Sequence, residues 1–330
     1  MPRRRSLLAM PLATLASPRV ARAQEEFPAR PLRLVLPLMP GGAVDLTGRL
    51  LAEMLAPALG QGVAVENRGG SAGNLGGDNV ARAAKDGYSL LLGSATLLAA
   101  NKYLFPKSMP FDPLVDLAPV SRIAAGTLLL VVHAGRPWQS FDELVAAARQ
   151  KPGRIVMGSS GTGSASHLML AALNRAAGIE IDHLPYRGGG AAIQDLRAGG
   201  IDMMFDVIPA LMPHLRARRF RALAVGSAGR VPFVPELREV PGMAELLPGS
   251  GIDMHTWYAV TTTGGTPEER LAVLHRAVRQ VATSDAYRAR LEPLGFTPVS
   301  DASPGACLDF LGAQQDVWKE LVELAGATLG

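Results

Sequence analysis

One feature of the sequence restricts the possible folds most strongly. Short apolar runs alternate with longer runs in which apolar residues recur at the spacing of a helix. From Pro31 onward the short runs are rich in leucine and β-branched residues, and each precedes a longer run with apolar residues at helical intervals. This order predicts an α/β fold of βαβ units, in which helices cover largely parallel sheets. Strands are expected at residues 32–37, 63–66 and 88–93, and helices at residues 45–59, 75–85 and 96–104.

A second series of the same kind follows a long strand predicted at residues 127–140, which ends in Gly and Pro. A loop rich in Pro and Gly, residues 231–251, then leads to the strand "MHTWYAVTT", and the simplest layout returns the chain to the first series. We therefore expect two lobes, residues 30–130 with 253–330 and residues 131–252. The second lobe should contain strands at 154–157, 181–185, 201–205 and 221–225, and helices at 141–150, 166–177, 191–198 and 208–218.

The first residues differ in composition from the rest of the chain. Arg3 to Arg5 precede an uncharged apolar stretch and then Ala21-Arg22-Ala23, which is typical of a secretory signal peptide cleaved after Ala23. The pair Arg4-Arg5 also resembles a twin-arginine export signal. We expect residues 1–23 to be removed, without stable membrane insertion, because the apolar stretch is shorter than the ~20 residues that cross a bilayer.

Removing this leader changes the electrostatics of the chain. The leader contains five arginines and no acidic residue, so 28 basic and 29 acidic residues remain. The basic character of the full sequence therefore belongs to the leader, and no stripe of lysine and arginine interleaved with aromatic residues remains. Nucleic-acid binding thus loses its main electrostatic support.

The sequence lacks the motifs of several cofactor and metal sites. Its one cysteine, Cys307, excludes an intramolecular disulfide and a CxxC site, and we expect it to pack on a C-terminal helix. The run from Gly158 to Ser164 has the spacing G-x-x-x-x-G-S but lacks the lysine of a phosphate-binding loop, and no G-x-G-x-x-G opens a helix. Without HExxH or clustered His, Asp and Cys, we expect neither a metal nor a cofactor.

Three loops share one design, in which a strand ends, glycines and small residues follow, and a helix begins. They are residues 40–43, 158–166 and 186–191. Ligands of open parallel sheets bind outside the carboxyl ends of the strands, and the free N–H groups in the first turn of a helix favour an anion. The loops therefore indicate a site for a small anion, with tight βα turns that bind nothing as the alternative.

A secreted α/β hydrolase of the esterase kind is the main alternative function. Ser164 and His167 lie about one helical turn apart and would act as nucleophile and base. Against this, the run from Gly158 to Gly161 places its serines at a different spacing from the G-x-S-x-G elbow. A histidine in the first turn of a helix also serves as a hydrogen-bonding or packing residue.

Four further residues allow two interpretations each. Asp45 and Asp206 follow strand ends and either cap the next helix or receive an amine or hydroxyl group of a ligand. Trp257 and Tyr258 lie on the return strand and either pack in the core or contribute to a site. The sequence leaves these alternatives open.

The motifs together form a recognisable pattern. It consists of "RPLRLVLPLMPGGAVD", "VENRGGSAGNLGGDNVARAAKDGYSLLLGSA", "FDPLVDLAPVS", "GSSGTGSASHL", "LPYRGGGAAIQDLRAGGIDMMFD", "FRALAVGSAGR" and "TWYAVTTTGGTPEERL". These stretches cover almost the whole mature chain and resemble the Bug family, the periplasmic solute-binding receptors (TctC) of tripartite tricarboxylate transporters.

The resemblance implies two Rossmann-like lobes joined by a hinge, as in type II periplasmic binding proteins. It also implies a non-catalytic receptor that holds a small carboxylate between the lobes, mainly through backbone amides and water. The implied contacts in the first lobe are Gly41, Gly42, Ala43, Asp45 and Ser94. Those in the second lobe are Ser159, Thr162, Gly163, Ser164, His167, Tyr186, Gly188 and Asp206.

The partners implied by the resemblance are the membrane permease subunits of a tripartite tricarboxylate transporter. A ligand-binding co-receptor of a sensor kinase is the alternative that the sequence does not separate from a transport receptor. In either case we expect a periplasmic monomer that closes around its ligand like a Venus flytrap.

The chain departs from the family pattern at the first loop. Where the family usually has Phe-Pro-Pro-Gly-Gly and a Thr or Ser before the aspartate, this chain has Leu38-Met39-Pro40 and Val44. A hydroxyl group is lost and aliphatic surface is gained, so we predict a ligand that is a more apolar or aromatic carboxylate than citrate.

A binding assay against mono-, di- and tricarboxylates checks this preference. Acids with a hydrocarbon portion should bind more tightly than citrate, because the aliphatic side chains provide apolar contact area in place of the missing hydroxyl group. Strong binding of citrate alone across the panel would contradict the prediction.

Overall fold

The computed structural model describes residues 26–329, which form two β-sheets covered by helices. The predicted signal peptide, residues 1–23, lies outside the described residues. The first sheet begins with three parallel strands, β1 (Leu32–Leu36), β2 (Val63–Asn67) and β3 (Ser89–Ser94). The helices of this part are α1 (Ala43–Leu59), α2 (Asn74–Ala81) after a 3₁₀ turn (Ser71–Gly73), and α3 (Asn101–Leu104) after a π-helical turn (Thr96–Ala100).

Strand β4 (Leu117–His133) leads from the first sheet into the second. The second sheet contains the parallel strands β5 (Val156–Ser159), β6 (Asp182–Pro185) and β7 (Met203–Val207), and also β8 (Phe220–Val225), which pairs with β4. Its helices are α4 (Phe141–Gln150), α5 (Ala165–Ala177), α6 (Gly189–Ala198) and α7 (Ile208–Arg216).

The chain then returns to the first sheet. A segment with a 3₁₀ turn (Pro235–Leu237) and the short helix α8 (Met243–Leu246) leads to β9 (His255–Thr263). The last elements are α9 (Glu268–Ala282), α10 (Asp285–Leu291), a 3₁₀ turn (Glu292–Leu294), β10 (Phe296–Pro298) and α11 (Pro304–Leu324). Among residues 26–329, no helix combines the length and the apolar composition needed to cross a membrane.

The carboxyl ends of the parallel strands in the two sheets face one another. The last residue of β3, Ser94, pairs with Tyr258 near the start of β9, and β9 pairs with β4 as far as Thr127. From Leu128 onward β4 pairs instead with β7, beginning at Val207, the carboxyl end of that strand. The loops after β1 and β3 therefore lie at the edge of the first sheet that faces the loops after β5, β6 and β7.

The two crossings between the sheets lie side by side. Gly226 donates a backbone hydrogen bond to the carbonyl of Leu128 at 2.8 Å, and Met254 donates to the carbonyl of Gly226 at 2.9 Å. The hydroxyl of Thr127 donates to the carbonyl of Met254 at 3.2 Å. The sheets are thus joined by a narrow connection of extended chain, which is the geometry of a hinge.

Each sheet buries apolar side chains under its own helices. In the first, α1 places Leu51 and Leu55 fully out of solvent and ends at Gly60, whose φ of 65° is left-handed and favours glycine. Helix α11 packs against β4, the π-helical turn and α5, so it contacts both halves of the molecule. Cys307 is buried on α11, as the sequence predicts.

The structure corrects two predictions about the strands. The crossing strand was predicted to begin at residue 127, but β4 begins at Leu117, because its polar residues, such as Ser121 and Arg122, interrupt the apolar run without interrupting the pairing with β9. The sheets are parallel only in part, since β4 and β9 run antiparallel to their neighbours. The antiparallel pairings involve the two strands next to the crossings between the sheets.

An ion pair anchors the segment before α11 to β4. Asp301 is buried and accepts hydrogen bonds from the backbone N–H of Arg122 at 2.8 Å and from its Nε at 2.9 Å and Nη2 at 2.6 Å. The guanidinium carbon lies 3.8 Å from the ring centroid of Phe310. Burial alone would raise the pKa of Asp301, but the bonds from Arg122 outweigh it and hold this pKa below its ordinary value.

Replacing Asp301 by Ala should lower the free energy of unfolding by roughly 3 kcal/mol, because the Arg122 guanidinium loses its buried partner. Urea unfolding followed by circular dichroism measures the change. Glu53→Ala is the matched control, since it breaks an exposed pair with Arg290 (2.7 and 2.9 Å) and should leave stability unchanged within error. Equal losses in the two variants would contradict this role of Asp301.

Candidate functional site

The loop after β1 brings the N-terminus of α1 to the edge that faces the second sheet. Gly41 has a φ of 92°, a left-handed conformation that favours glycine, and the extended Gly42 precedes the helix. No side chain caps α1, so the N–H groups of Ala43 and Val44 have no hydrogen-bond partner among the described residues. A Cβ atom built on either glycine would meet no atom within 4 Å, so the loop offers accessible backbone donors.

Asp45 supports this loop from within the protein. It is buried, and its Oδ2 accepts a hydrogen bond from the N–H of Gly41 at 3.0 Å, while its Oδ1 accepts from Arg49 Nε at 3.0 Å and Asn67 Nδ2 at 2.9 Å. Burial alone would raise the pKa of Asp45, but these hydrogen bonds hold it below its ordinary value. Both carboxylate oxygens are thus engaged in fixing the loop.

Ser94 ends β3 at the same edge. Its Oγ accepts a hydrogen bond from the N–H of Leu97 at 3.3 Å, inside a π-helical turn, a rare conformation that is frequent at functional sites. Tyr258, its partner across the strands, is buried and packs against Phe296 with 5.3 Å between ring centroids. Tyr258 therefore both packs in the core and lies at the facing edge.

The loop after β5 is held by hydrogen bonds among its own residues. Ser164 caps α5: its Oγ accepts from the N–H of His167 at 3.4 Å and donates to the carbonyl of Gly161 at 2.6 Å. The N–H of Ser160 donates to Ser166 Oγ at 3.1 Å. The hydroxyl groups that the sequence singled out thus shape the loop and set its conformation.

The tip of this loop contacts the first half of the molecule. Thr162 is half-buried, and Gly163 has a left-handed φ of 74°. Gly163 lies so close to Leu104 of α3 that a Cβ atom on the glycine would collide with the leucine side chain. The second sheet's loop therefore meets a helix of the first sheet where the two sheet edges face each other.

Two stacked histidines lie beneath this loop. The Oγ of the fully buried Ser159 lies 2.6 Å from Nε2 of His183 in β6, whose ring stacks on His167 with 3.8 Å between centroids. Burial and the neighbouring His167 lower the pKa of His183 to about 4, and burial also lowers the pKa of His167. Both rings are therefore neutral at neutral pH. The sequence does not indicate a role for His183, because its contacts with Ser159 and His167 depend on the packing of separate elements.

This arrangement does not form a hydrolytic site. The ring of His167 accepts a hydrogen bond at Nδ1 from the N–H of Gly163 at 3.1 Å, whereas Ser164 Oγ is occupied in capping the helix. The serine that does contact a histidine ring, Ser159, has no exposed surface. A nucleophile that a substrate can reach is therefore not formed by these residues.

Tyr186 is engaged within the second half of the molecule. Its hydroxyl donates to the carboxylate of Asp195 on α6, and its backbone N–H donates to the carbonyl of Ser159 at 3.1 Å. Burial and the neighbouring Asp195 raise the pKa of Tyr186 to about 12. The tyrosine thus fixes the loop that leads into α6.

The N-terminus of α6 provides a second set of free donors. Gly188 precedes the helix with a left-handed φ of 106°, and no side chain caps the helix. The N–H groups of Gly189 and Gly190 have no hydrogen-bond partner among the described residues. The open space around Gly188 leaves this turn accessible, as at α1.

Asp206 lies beside this turn, near the carboxyl end of β7. Its Oδ1 accepts a hydrogen bond from the N–H of Val207 at 2.7 Å. Its Oδ2 faces Gly189 so closely that a Cβ atom on the glycine would collide with it. Burial raises the pKa of Asp206 to about 6, against the opposing effect of the Val207 N–H.

Exposed apolar side chains surround the first loop. Met39 is 73% exposed and Leu75 58% exposed, while Leu46 and Leu38 are 44% and 40% exposed. We refer to these four residues as the loop patch. The first loop and the helices α1 and α2 thus carry apolar side chains that are accessible to a ligand or partner.

A cavity lies elsewhere in the molecule, away from the strand-end loops. A cavity of about 770 Å³ lies between α5, α11 and the start of β9, where Trp257 and Trp318 both donate to Gln314 Oε1. None of the strand-end loops lines it. Within residues 26–329, no group of three or more His, Cys, Asp or Glu side chains is arranged to hold a metal ion.

The profile of the tripartite tricarboxylate transporter family receptor, TctC, matches residues 47–326. The chain belongs to this family. The resemblance to Bug-type receptors is thus confirmed, and because the family consists of transporter receptors, the hydrolase alternative is excluded. Among curated relatives, the BugT protein of Bordetella pertussis is 35% identical over 306 residues, which cover 92% of each chain.

Several solved structures are similar to this chain over most of its length. An R. palustris protein solved with adipate is 33% identical, with a TM-score of 0.83 over 92% of this chain and 100% of that one. The periplasmic binding protein BugD is 29% identical, with a TM-score of 0.80 over 92% and 99% of the two chains. MatC from Rhodopseudomonas palustris, solved with malate, is also 29% identical, with a TM-score of 0.77 over 90% and 100%. The predicted fold of two α/β lobes is therefore confirmed.

The stacked histidines make stability depend on pH. Because folding lowers the pKa of His183 from 6.5 to about 4, the neutral ring contributes stability above pH 6.5, and this is lost as the pH falls from 6.5 towards 4. Between pH 6.5 and 4.5, the wild type should lose on the order of 2 kcal/mol more unfolding free energy than His183→Gln.

Chemical denaturation at three pH values in this interval measures the difference. The control is His255→Gln, which replaces an exposed histidine paired with Asp253 and should keep the wild-type pH dependence. Parallel curves for the wild type and His183→Gln would show that the stacked ring is not the titrating group.

Proposed function

We propose that this receptor captures a small dicarboxylate between its two sheets and delivers it to the membrane subunits of a tripartite tricarboxylate transporter. The observation that carries the proposal is the position of two uncapped helix N-termini, those of α1 and α6, on sheet edges that face each other. Each provides free N–H donors and the positive end of a helix dipole, which favour a carboxylate. Helix ends on opposite sheets suit an acid with a carboxylate at each end.

Backbone donors are sufficient to hold such a ligand. A hydrogen bond from a neutral donor to a charged acceptor contributes ~1.5–3 kcal/mol, so two or three at each end need no arginine or lysine partner. The relatives solved with adipate and malate, both small dicarboxylates, support this ligand class. The loop patch provides apolar contact for a hydrocarbon portion, in line with the preference predicted from Leu38 and Met39.

The predicted contacts differ in the part they play in this proposal. Backbone groups at Gly42, Ala43 and Gly188 are proposed to contact the ligand directly, with Ser94, Thr162 and Gly163 lining the space between the sheets. Gly41, whose N–H is bonded to Asp45, is proposed to shape the first loop. Asp45, Ser159, Ser164, His167 and Tyr186 are proposed to hold the loops in shape, because their polar groups already have partners within the protein.

Closure about the hinge is the proposed mechanism of capture. A ligand that bridges both sheets binds the closed form better than the open one and shifts the equilibrium towards it by that difference in affinity. Strand β4 changes its pairing partner between Thr127 and Leu128, and the chain returns to the first sheet just before His255. We expect the two sheets to rotate relative to each other at these two positions. The lobe limits given above, 30–130 with 253–330 and 131–252, stay a prediction.

Thermal unfolding of residues 24–330, after denaturing and refolding to remove bound solute, tests the proposal. A ligand at 100 times its dissociation constant adds ~2.7 kcal/mol to stability and should raise the midpoint by several degrees. Linear dicarboxylates such as adipate should give the largest shifts. Cooperative unfolding with no shift for any acid would contradict the proposal.

A proline substitution tests the backbone donors directly. Ala43→Pro removes the N–H at the first position of α1, where proline is favoured and no helical hydrogen bond is lost. It should weaken dicarboxylate binding roughly tenfold to a hundredfold, while leaving the unfolding midpoint of the free protein unchanged. Calorimetric titration measures the dissociation constants of the wild type and of Ala43→Pro.

Asp285→Pro is the matched control. It places proline at the first position of α10, a helix outside the candidate site, and should bind as the wild type does. Wild-type affinity in Ala43→Pro would contradict the proposed role of the α1 N-terminus.

A further inference from the structure

We propose that Asp206 binds the ligand as a neutral acid, sharing one proton with a ligand carboxylate, so that capture of the solute is coupled to uptake of one proton. This inference rests on the proposed carboxylate ligand. Beyond that function, we assign a protonation state to Asp206, and this state makes the affinity for the ligand depend on pH.

The position of Asp206 places its free oxygen where a ligand carboxylate would bind. The N–H of Val207 donates a hydrogen bond to Oδ1, whereas Oδ2 has no hydrogen-bond partner among the described residues. Oδ2 lies against Gly189, the first residue of α6, at a distance that only a residue without a side chain permits. An anion held by the N–H groups of Gly189 and Gly190 therefore comes into contact with Oδ2.

The elements packed around Asp206 provide no positive charge that pairs with it. Its neighbour across the strands in β4 is Leu129, the first turn of α6 consists of glycines, and α7 begins with Ile208 and Pro209. Within residues 26–329, no lysine, arginine or histidine forms an ion pair with Asp206, including Arg187 in the preceding loop.

Tyr258 of β9 is the titratable group that faces Asp206 from the first sheet. Burial and the charge of Asp206 raise the pKa of its phenol, so the tyrosine is neutral and adds no charge. The free protein already holds the Asp206 carboxyl with a pKa of about 6, because burial disfavours its ionised form. Among the described residues, the groups that stabilise a negative charge on Asp206 are the Val207 N–H, which is bonded to it, and the dipole of α6.

A second carboxylate at this position changes the protonation of the first. Two carboxylates in contact do not both ionise, so the pKa of one rises strongly. The pair then carries a single negative charge, which the N-terminus of α6 stabilises, and the shared proton makes a charge-assisted hydrogen bond. Above the pKa of free Asp206, binding therefore takes up a proton from solvent.

Calorimetric titration with adipate as the probe, from pH 6.5 to 8.5, tests the coupling. The dissociation constant of the wild type should rise close to tenfold per pH unit, as binding linked to one proton requires. The carboxylates of adipate are ionised throughout this range, since carboxyl groups titrate near pH 4. Burial lowers the pKa of His167 and of His183, so the neutral form of both rings predominates in this range.

Variants separate Asp206 from other groups. Asp206→Asn keeps the shape and provides a permanent donor, so its dissociation constant should be independent of pH and close to the wild-type value at pH 6.5. Asp182→Asn, which removes an exposed carboxylate of β6 in the same half of the molecule, should keep the wild-type slope.

Titrating the wild type at pH 8 in two buffers of different ionisation enthalpy counts the protons without any variant, and the expected number is close to one. A wild-type affinity that does not change with pH, or a slope that persists in Asp206→Asn, would overturn the inference while the proposed receptor function stands. Absence of binding at every pH by the folded protein would instead overturn the proposed function and this inference with it.

Discussion

The first N–H groups of a helix have no partner within that helix, and the proposed ligand site depends on this constraint. In α5 the side chain of Ser164 satisfies one of these groups, whereas α1 and α6 begin after glycines and have no such cap. Because β4 passes from one sheet into the other, these two uncapped ends lie on edges that face each other. The free donors therefore form the proposed site for an anion that bridges the sheets.

Much of the remaining polar structure holds these loops in a fixed shape. Asp45 ties the first loop to Arg49 and Asn67, and Tyr186 fixes the loop before α6 through Asp195. Loops fixed before binding lose little conformational entropy when the ligand arrives, so more of the hydrogen-bond energy appears as affinity. In the proposed site, the side chains that the family resemblance implies as contacts therefore act largely by positioning backbone donors.

The sequence predicted the local features well, because they depend on local spacing. Helix α4 was predicted at its observed limits, the three strand-end loops lie where the alternation of strand and helix places them, and the family resemblance is confirmed. The partners of Asp45 and Tyr186, the stacking of His183 on His167, and the approach of Asp206 to Gly189 were not predicted. These contacts join residues on different elements, so neither periodicity nor composition indicates them.

A crystal structure of the protein with adipate bound would show directly whether the two helix N-termini hold the ligand. We expect one carboxylate on the first turn of α1 and the other on the first turn of α6 beside Asp206, with the hydrocarbon chain spanning the space between the sheets. Adipate in the cavity between α5 and α11, or held by side chains of one sheet alone, would contradict this expectation.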